Sequence, residues 1–319
     1  MQTFLIRRLL LMVPTLIGAT LLVFLIMRVV PGDVAYLILS GEGGEGQVDP
    51  ASLAKLRHEL GLDRSLVVQY STWLIGNTTG DMGKSLRTGR QIRVEIASRF
   101  PMTAQLAVMA VLMGIAVGLP LGIISALKQN SWIDHIARLV SIAFLTLPSF
   151  WMGLLVLLVG VTMFDWTPPL GRNLLWQDPG ANLTQLIFPA AIIGSHLMAI
   201  VARMTRSSML EVLREDYIRT ARAKGLAEFV VITRHALKNS LIPVVTIVGI
   251  SFGSLLGGTI VMEQVFTVPG IGRYLIESIT FRDYPATQAI VLLLAAGFVI
   301  INLLVDFLYG FLDPRIRYS

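Results

Sequence analysis

Cysteine is absent from the 319-residue chain, which excludes disulfide frameworks, thiolate metal sites, iron–sulfur clusters and cysteine nucleophiles. Charge is also scarce: Asp, Glu, Lys and Arg make up 14% of the residues and hydrophobic residues 54%, whereas soluble domains carry about 25% charge. A chain this apolar is not disordered, and its mean hydropathy of +0.71 makes the bilayer its expected solvent. Histidine occurs four times. His58-Glu59 lacks the second histidine of H-E-x-x-H, and His135, His196 and His235 fall in three separate segments, so no metal site is expected. Gly83-Lys84-Ser85 resembles the end of a phosphate-binding loop, but Thr78 stands where that loop requires glycine, and no nucleotide site is expected. The net charge of +6 is expected in cytoplasmic loops, not on nucleic acid.

What is abundant is long uncharged sequence. Residues 9–27, 100–127, 139–164, 179–202, 239–262 and 284–305 contain no Asp, Glu, Lys or Arg. Each is near or above the roughly 20 residues that a helix needs to cross a bilayer. The fold class is therefore all-α, with six transmembrane helices. Pro14, Pro120, Pro148, Pro189 and Pro243 lie in or at the ends of these stretches and predict kinks without additional helix boundaries.

The basic residues orient the chain. With a cytoplasmic N-terminus, the inner side holds Arg7, Arg8, Lys128, Arg138, eight basic residues from Arg203 to Lys238, and Arg315 and Arg317, while the short outer loops hold Arg172, Arg273 and Arg282. Both termini are therefore expected inside. The first apolar run is too long for a signal peptide and is read as a retained anchor over 1–30. Residues 31–100 form a large outer loop with eight basic and eight acidic residues. Asp49 and Pro50 predict the start of a helix over Ala51–Leu60 that stops at Gly61. Leu66, Val67, Tyr70, Trp73 and Leu74 predict a second short helix, and Gly41 to Gly46 predicts a flexible stretch. The remainder, 101–319, is read as a five-helix core with a cytoplasmic loop at 203–240.

Ionisable groups inside the spans are few. Glu263 and Asp306 lie near span ends and His196 is the one deep within a span, read as a neutral imidazole bonded to a neighbouring helix. A proton-driven secondary transporter or an intramembrane protease needs several such groups, and no nucleophile–base constellation points to an enzyme. In the loop, Leu210, Leu213, Tyr217 and Ala221 recur at helical spacing and Gly225 supplies a stop, so one amphipathic helix with Arg214 and Arg222 on its polar face is expected. On spacing alone, that helix could equally lie on anionic lipid headgroups.

The segment from Tyr217 through Ile-Arg-Thr-Ala-Arg-Ala-Lys-Gly-Leu226, followed by Arg234-His-Ala-Leu-Lys-Asn239 and Pro243, resembles the cytoplasmic signature of permease subunits of binding-protein-dependent ABC importers, in their dipeptide/oligopeptide/nickel branch. Arg7-Arg8 to Val30-Pro-Gly-Asp33, Leu60-Gly-Leu-Asp63 with Gly80-Asp-Met-Gly-Lys-Ser85, Val265-Phe-Thr-Val-Pro-Gly-Ile-Gly272 and Leu312-Asp-Pro-Arg-Ile-Arg-Tyr318 extend the resemblance along the whole chain. The resemblance implies the type I importer permease fold and half of a translocation pathway for short peptides, nickel or oligosaccharide. It implies as partners a homologous permease, two ATPase subunits that carry ATP and Mg, and an extracytoplasmic binding protein. It also implies that this chain binds no cofactor, sits in the inner membrane, and couples to the ATPases through Tyr217, Arg219, Thr220, Ala221, Arg222, Ala223, Gly225 and Leu226. Gly249, Gly253, Gly257 and Gly258 form a small-residue stripe suited to helix packing or to a pathway wall. The resemblance also implies that Phe266, Pro269, Gly270 and Gly272 belong to an outer loop near the pathway mouth.

Overall fold

A computed structural model of the chain describes residues 2–29, 33–40 and 48–312. Val30-Pro31-Gly32, the Gly41–Gly46 stretch and the C-terminal motif beyond Leu312 lie outside the described residues, as do the side chains of Arg7, Arg8 and Asp306. The helices in chain order are α1 (Gln2–Val29), α2 (Val34–Ser40), α3 (Pro50–Glu59), α4 (Leu66–Thr79), α5 (Ile92–Leu127), α6 (Trp132–Thr146) and α7 (Ser149–Phe164). They continue with α8 (Pro179–Val212), α9 (Asp216–Ala223), α10 (Glu228–Val230), a π-helical turn (Val231–Ala236), α11 (Leu237–Val265), α12 (Ile271–Thr280) and α13 (Tyr284–Leu312). Among the described residues the one β feature is an isolated antiparallel bridge between Lys84 and Gln91.

Among the described residues five helices are long and apolar enough to cross a membrane, and a sixth span results if α6 and α7 count as one. That pair corrects the expectation of a simple span over 139–164 and of proline as a mere kink. The two helices meet at 99°, with Leu147 extended and Pro148 capping α7. Proline offers no N–H to the preceding turn and drives the residue before it out of the helical region. Pro14, Pro189 and Pro243 lie inside helices. The uncharged stretches also understate helix length: α5 begins at Ile92, and its charged first turns are accommodated because Glu95 pairs with Arg90 and Arg99, each at 3.2 Å.

The chain forms two compact units. One comprises Met102–Pro269 and the chain from Phe298 onward; the other comprises Gln2–Pro101 and Gly270–Gly297.

In the first unit, α8 packs on α6, α7 and α11 around a core that includes Leu106, Leu186, Leu197, Met262 and Phe266. α8 meets α5 at backbone distance. A Cβ built on Gly114, Gly118 or Gly122 would stand 2.9, 2.6 or 2.5 Å from the carbonyl oxygens of Gly194, Met198 and Ala202. Only glycine permits such an approach. Polar clamps hold the ends of this seam. At one end, Gln105 Nε2 donates to Asn182 Oδ1 at 2.5 Å and Asn182 Nδ2 donates to Gln105 Oε1 at 3.1 Å. At the other, the fully buried Asp134 of α6 accepts from Arg206 Nε and Nη2 of α8 at 2.7 and 2.8 Å. Ser125 Oγ and Asn130 N donate to the same carboxylate at 2.6 and 3.0 Å.

In the second unit, Asp49 caps α3 by accepting from Ser52 N at 3.0 Å, and Gly61 lies in the left-handed region at φ +66°. The Ser52 N–H and hydroxyl hold the Asp49 carboxyl below its ordinary range. Ser85 Oγ donates to Asp283 Oδ2 at 2.5 Å, which ties the Gly83–Ser85 turn to the residue preceding α13. Burial, together with the Asp283 and Glu95 carboxylates, pushes the Tyr274 hydroxyl on α12 up to about 12.

Candidate functional site

The loop after α8 does not form the single helix expected from its spacing. α8 runs on to Val212, the chain turns at Leu213–Glu215, and α9 restarts at Asp216 as an eight-residue helix. Its end is a Schellman motif. Gly225 N donates to Arg222 O at 2.9 Å, Leu226 N donates to Ala221 O at 3.4 Å, and Gly225 has φ +76°. Glycine adopts that conformation without strain.

Two side chains of α9 point inward. Ile218 and Ala221 are buried in a cluster with Ala126 of α5, Met209 of α8, and Val231 and Ala236 of the π-helical turn. Ala221 is thus inside this chain's own core, not on a surface available to a partner; sequence spacing could not separate the two faces of so short a helix. The remaining candidates, Tyr217, Arg219, Thr220, Arg222, Ala223, Gly225 and Leu226, are exposed, as is Lys224. Arg222 Nη2 and Nε donate to the two oxygens of Glu228 at 2.6 and 3.1 Å, and Arg219 pairs with Asp216 at 2.7 Å. Both arginines therefore meet carboxylates of this chain. Tyr217 Oη accepts from Asn239 Nδ2 of α11 at 2.8 Å. Residues 203–240 hold eight basic and four acidic residues, which leaves the surface net positive.

Phe229, one turn beyond Leu226, was not singled out by the sequence and is 75% exposed. Its signal is an aromatic residue that follows the helix stop in a charged loop, three positions after Leu226. Together, Leu226 and Phe229 give the basic surface an apolar knob. A π-helical turn, a feature that often marks functional sites, connects this knob to α11.

The glycine stripe of α11 divides in two. A Cβ on Gly249 would stand 2.5 Å from Val305 Cγ1 and one on Gly253 would stand 3.0 Å from the Phe298 ring, whereas one on Gly257 or Gly258 would meet nothing within 4 Å. The first two are packing positions against α13, and the last two face open space. Phe266 is fully buried beside Gly153 of α7, Pro269 is half-buried, and Gly270 and Gly272 are buried at the start of α12. Glu263 is fully buried and its Oε1 accepts from Thr103 Oγ1 at 2.6 Å. His196 departs from the expected helix-to-helix bond: it stands on the exposed face of α8. Among the described residues no group of His, Asp or Glu is arranged to hold a metal.

Two solved structures share the fold. An inward-facing MetNI methionine ABC transporter matches at TM-score 0.54 and 16% identity, covering 66% of this chain and 93% of its own. An amino acid ABC transporter crystallised with histidines matches at TM-score 0.51 and 18% identity, covering 68% and 93%. The chain belongs to the family described as the binding-protein-dependent transport system inner membrane component, matched over residues 118–318, with the N-terminal component of that system matched over 1–107. Over the full length of both chains it is 43% identical to the dipeptide transport system permease protein DppB of Alkalihalophilus pseudofirmus and 40% identical to that of Escherichia coli K12. It is 41% identical, also over full length, to the glutathione transport system permease protein GsiC of Pectobacterium atrosepticum. It is a multi-pass permease of an ABC importer, a transport component.

Proposed function

We propose that this chain forms half of the pathway by which an ATP-driven importer moves short peptides into the cell, and that α9 with Leu226 and Phe229 docks on an ATPase subunit. The observation that carries the docking is that α9 is anchored by two buried side chains, Ile218 and Ala221, and by the Tyr217–Asn239 hydrogen bond to α11, while the rest of its surface is exposed. A helix so attached transmits a push from a partner to α8 and α11 without unfolding. The net basic surface calls for an acidic groove on that partner. ATP and Mg belong to two ATPase subunits, and this chain binds no cofactor. A homologous permease completes the pathway, a binding protein delivers cargo outside, and both termini lie in the cytoplasm. Support for peptide cargo comes from relatives named for dipeptides, di/tripeptides and glutathione.

The test is peptide uptake and substrate-stimulated ATP hydrolysis by the reconstituted assembly carrying Gly225→Trp, with Gly225→Asn as control. Asparagine tolerates positive φ, and a Cβ at 225 meets nothing within 4 Å, so the control keeps the helix stop. A tryptophan Cβ likewise clashes with nothing, but tryptophan strains the left-handed φ of +76°. Its thermal melt is therefore measured beside the control's, and loss of uptake counts for docking when the two melts agree. Gly225→Trp is expected to abolish uptake and leave hydrolysis unresponsive to peptide, with Gly225→Asn near wild type. Intact uptake in the tryptophan variant overturns the docking. Mass spectrometry of the purified assembly should find two ATPases and a second permease in stoichiometric amounts; a homo-oligomer free of ATPase overturns the whole reading.

A further inference from the structure

The second compact unit contains a cavity of about 210 Å³ lined by Phe24 and Arg28 of α1, Arg64, Trp73 of α4, and Tyr284 and Gln288 of α13, with no acidic residue in its wall. Three hydrogen-bond donors on residues of that wall, Arg28 Nη1, Trp73 Nε1 and Gln288 Nε2, are shielded from solvent and have no partner among the described residues. Gln288 is only 3% exposed. The Arg28 guanidinium is held from several sides: its carbon lies 4.5 Å from the Phe24 ring centre and 4.6 Å from that of Tyr284, and its Nε and Nη2 donate to Gln69 Oε1 at 3.2 and 2.6 Å. Only its remaining edge is unsatisfied. Orphaned buried donors are costly, and native proteins leave them where a ligand or water is to be bound. Three of them, one on the caged cation itself and two on Trp73 and Gln288, with a second arginine in the wall, call for an anion that accepts several hydrogen bonds.

The position of the cavity identifies the source of that anion. Arg28 is at the C-terminal end of the candidate span Leu10–Val29, and Tyr284 opens the candidate span Tyr284–Val305. The cavity therefore lies at headgroup level, where tryptophan and tyrosine collect. Leu21, Leu22, Leu25 and Ile26 are exposed on the last turns of α1, and Leu66, Val67 and Ile75 on α4, offering apolar surface on which acyl chains can lie. We infer that the cavity binds the headgroup phosphate of an anionic phospholipid, with Arg28, Trp73 and Gln288 donating to its oxygens.

The inference is tested on the purified transporter assembly, delipidated in mild detergent, by native mass spectrometry during titration with phosphatidylglycerol. One tightly held phosphatidylglycerol per copy of this chain is expected, with phosphatidylcholine several-fold weaker. Arg28→Met is expected to weaken retention roughly tenfold or more, the scale of a lost charge-assisted hydrogen bond. Trp73→Phe and Gln288→Met each remove one donor while keeping the shape, and are expected to weaken retention by smaller factors. They carry the test if Arg28→Met fails to assemble. Equal retention by wild type and the variants, or equal retention of the two lipids, overturns the inference. Displacement of the lipid by millimolar inorganic phosphate would assign the cavity to the free ion, and displacement by dialanine would assign it to a substrate carboxylate; either outcome overturns the lipid assignment.

Discussion

The seam between α5 and α8 and the segment around α9 belong to the same compact unit, yet opposite means hold them. Along the seam, backbone meets backbone at Gly114, Gly118 and Gly122, and the polar clamps at its ends are buried and fully paired. At α9, two small-to-medium side chains are buried and almost everything else faces outward. Close-packed interiors resist small volume changes, so the seam moves as a block. α9 has few internal contacts to lose and a wide face to offer. Under the docking proposed above, α8 acts as a stiff lever and α9 as the contact, and the break at Leu213–Glu215 separates the two.

The largest effect is expected where the stiff region is broken by charge. Asp134→Ala leaves the Arg206 guanidinium, 20% exposed, without its carboxylate, and loss of one partner of a buried pair costs about 3–5 kcal/mol. A thermal melt of the purified assembly should fall accordingly, and Asp134→Ala combined with Arg206→Met should recover much of the loss; additive losses would mean that the pair is not the clamp. Next comes Gly118→Val, which places a Cβ 2.6 Å from the Met198 carbonyl oxygen and should cost roughly 1–3 kcal/mol or more by forcing the helices apart. The same change at Gly257, where a Cβ meets nothing within 4 Å, should leave the melt unchanged, and equal effects at the two sites would erase the distinction between packed and open glycines.

Around α9 stability should change little while function changes much. Arg222→Gln removes a pair whose partners are 42% and 54% exposed, and exposed pairs contribute about 0–1 kcal/mol. The melt should hardly move, while peptide-stimulated ATP hydrolysis falls; a large drop in the melt would place α9 with the rigid region. The smallest effect concerns the cap of α3. The Asp49 carboxyl is held below its ordinary value in the folded chain, so its contribution is complete above the ordinary Asp range and is lost as pH falls through the lowered value. Pepsin cleavage within α3 should accelerate over that acid window in the wild type, and the acceleration should vanish in Asp49→Ala.

Much of this was legible in the residues because its causes are local. The Asp49-Pro50 start and Gly61 stop of α3 are readable since cap chemistry depends on neighbours in sequence. Gly225 is readable for the same reason. The α9 boundary was not, since Leu213 and Tyr217 keep helical spacing across the break at Leu213–Glu215. Pro148 looks like the other span prolines, yet it alone among Pro14, Pro148, Pro189 and Pro243 stands between two helices and not inside one. The glycines of α5 resemble those of α11 in spacing, but only their opposite numbers on α8 and α13 decide which are filled.

By itself the sequence determined the all-α class, the apolar spans, the helix caps and the family to which the chain belongs, because hydrophobic length, turn chemistry and motif order are properties of consecutive residues. Tertiary structure alone decided that Ala221 faces inward while Leu226 and Phe229 face outward, that Asp134 finds Arg206 across 72 positions, and that Arg28, Trp73 and Gln288 line one cavity. Those outcomes depend on which surfaces meet when helices pack, and distant residues contribute equally to each meeting.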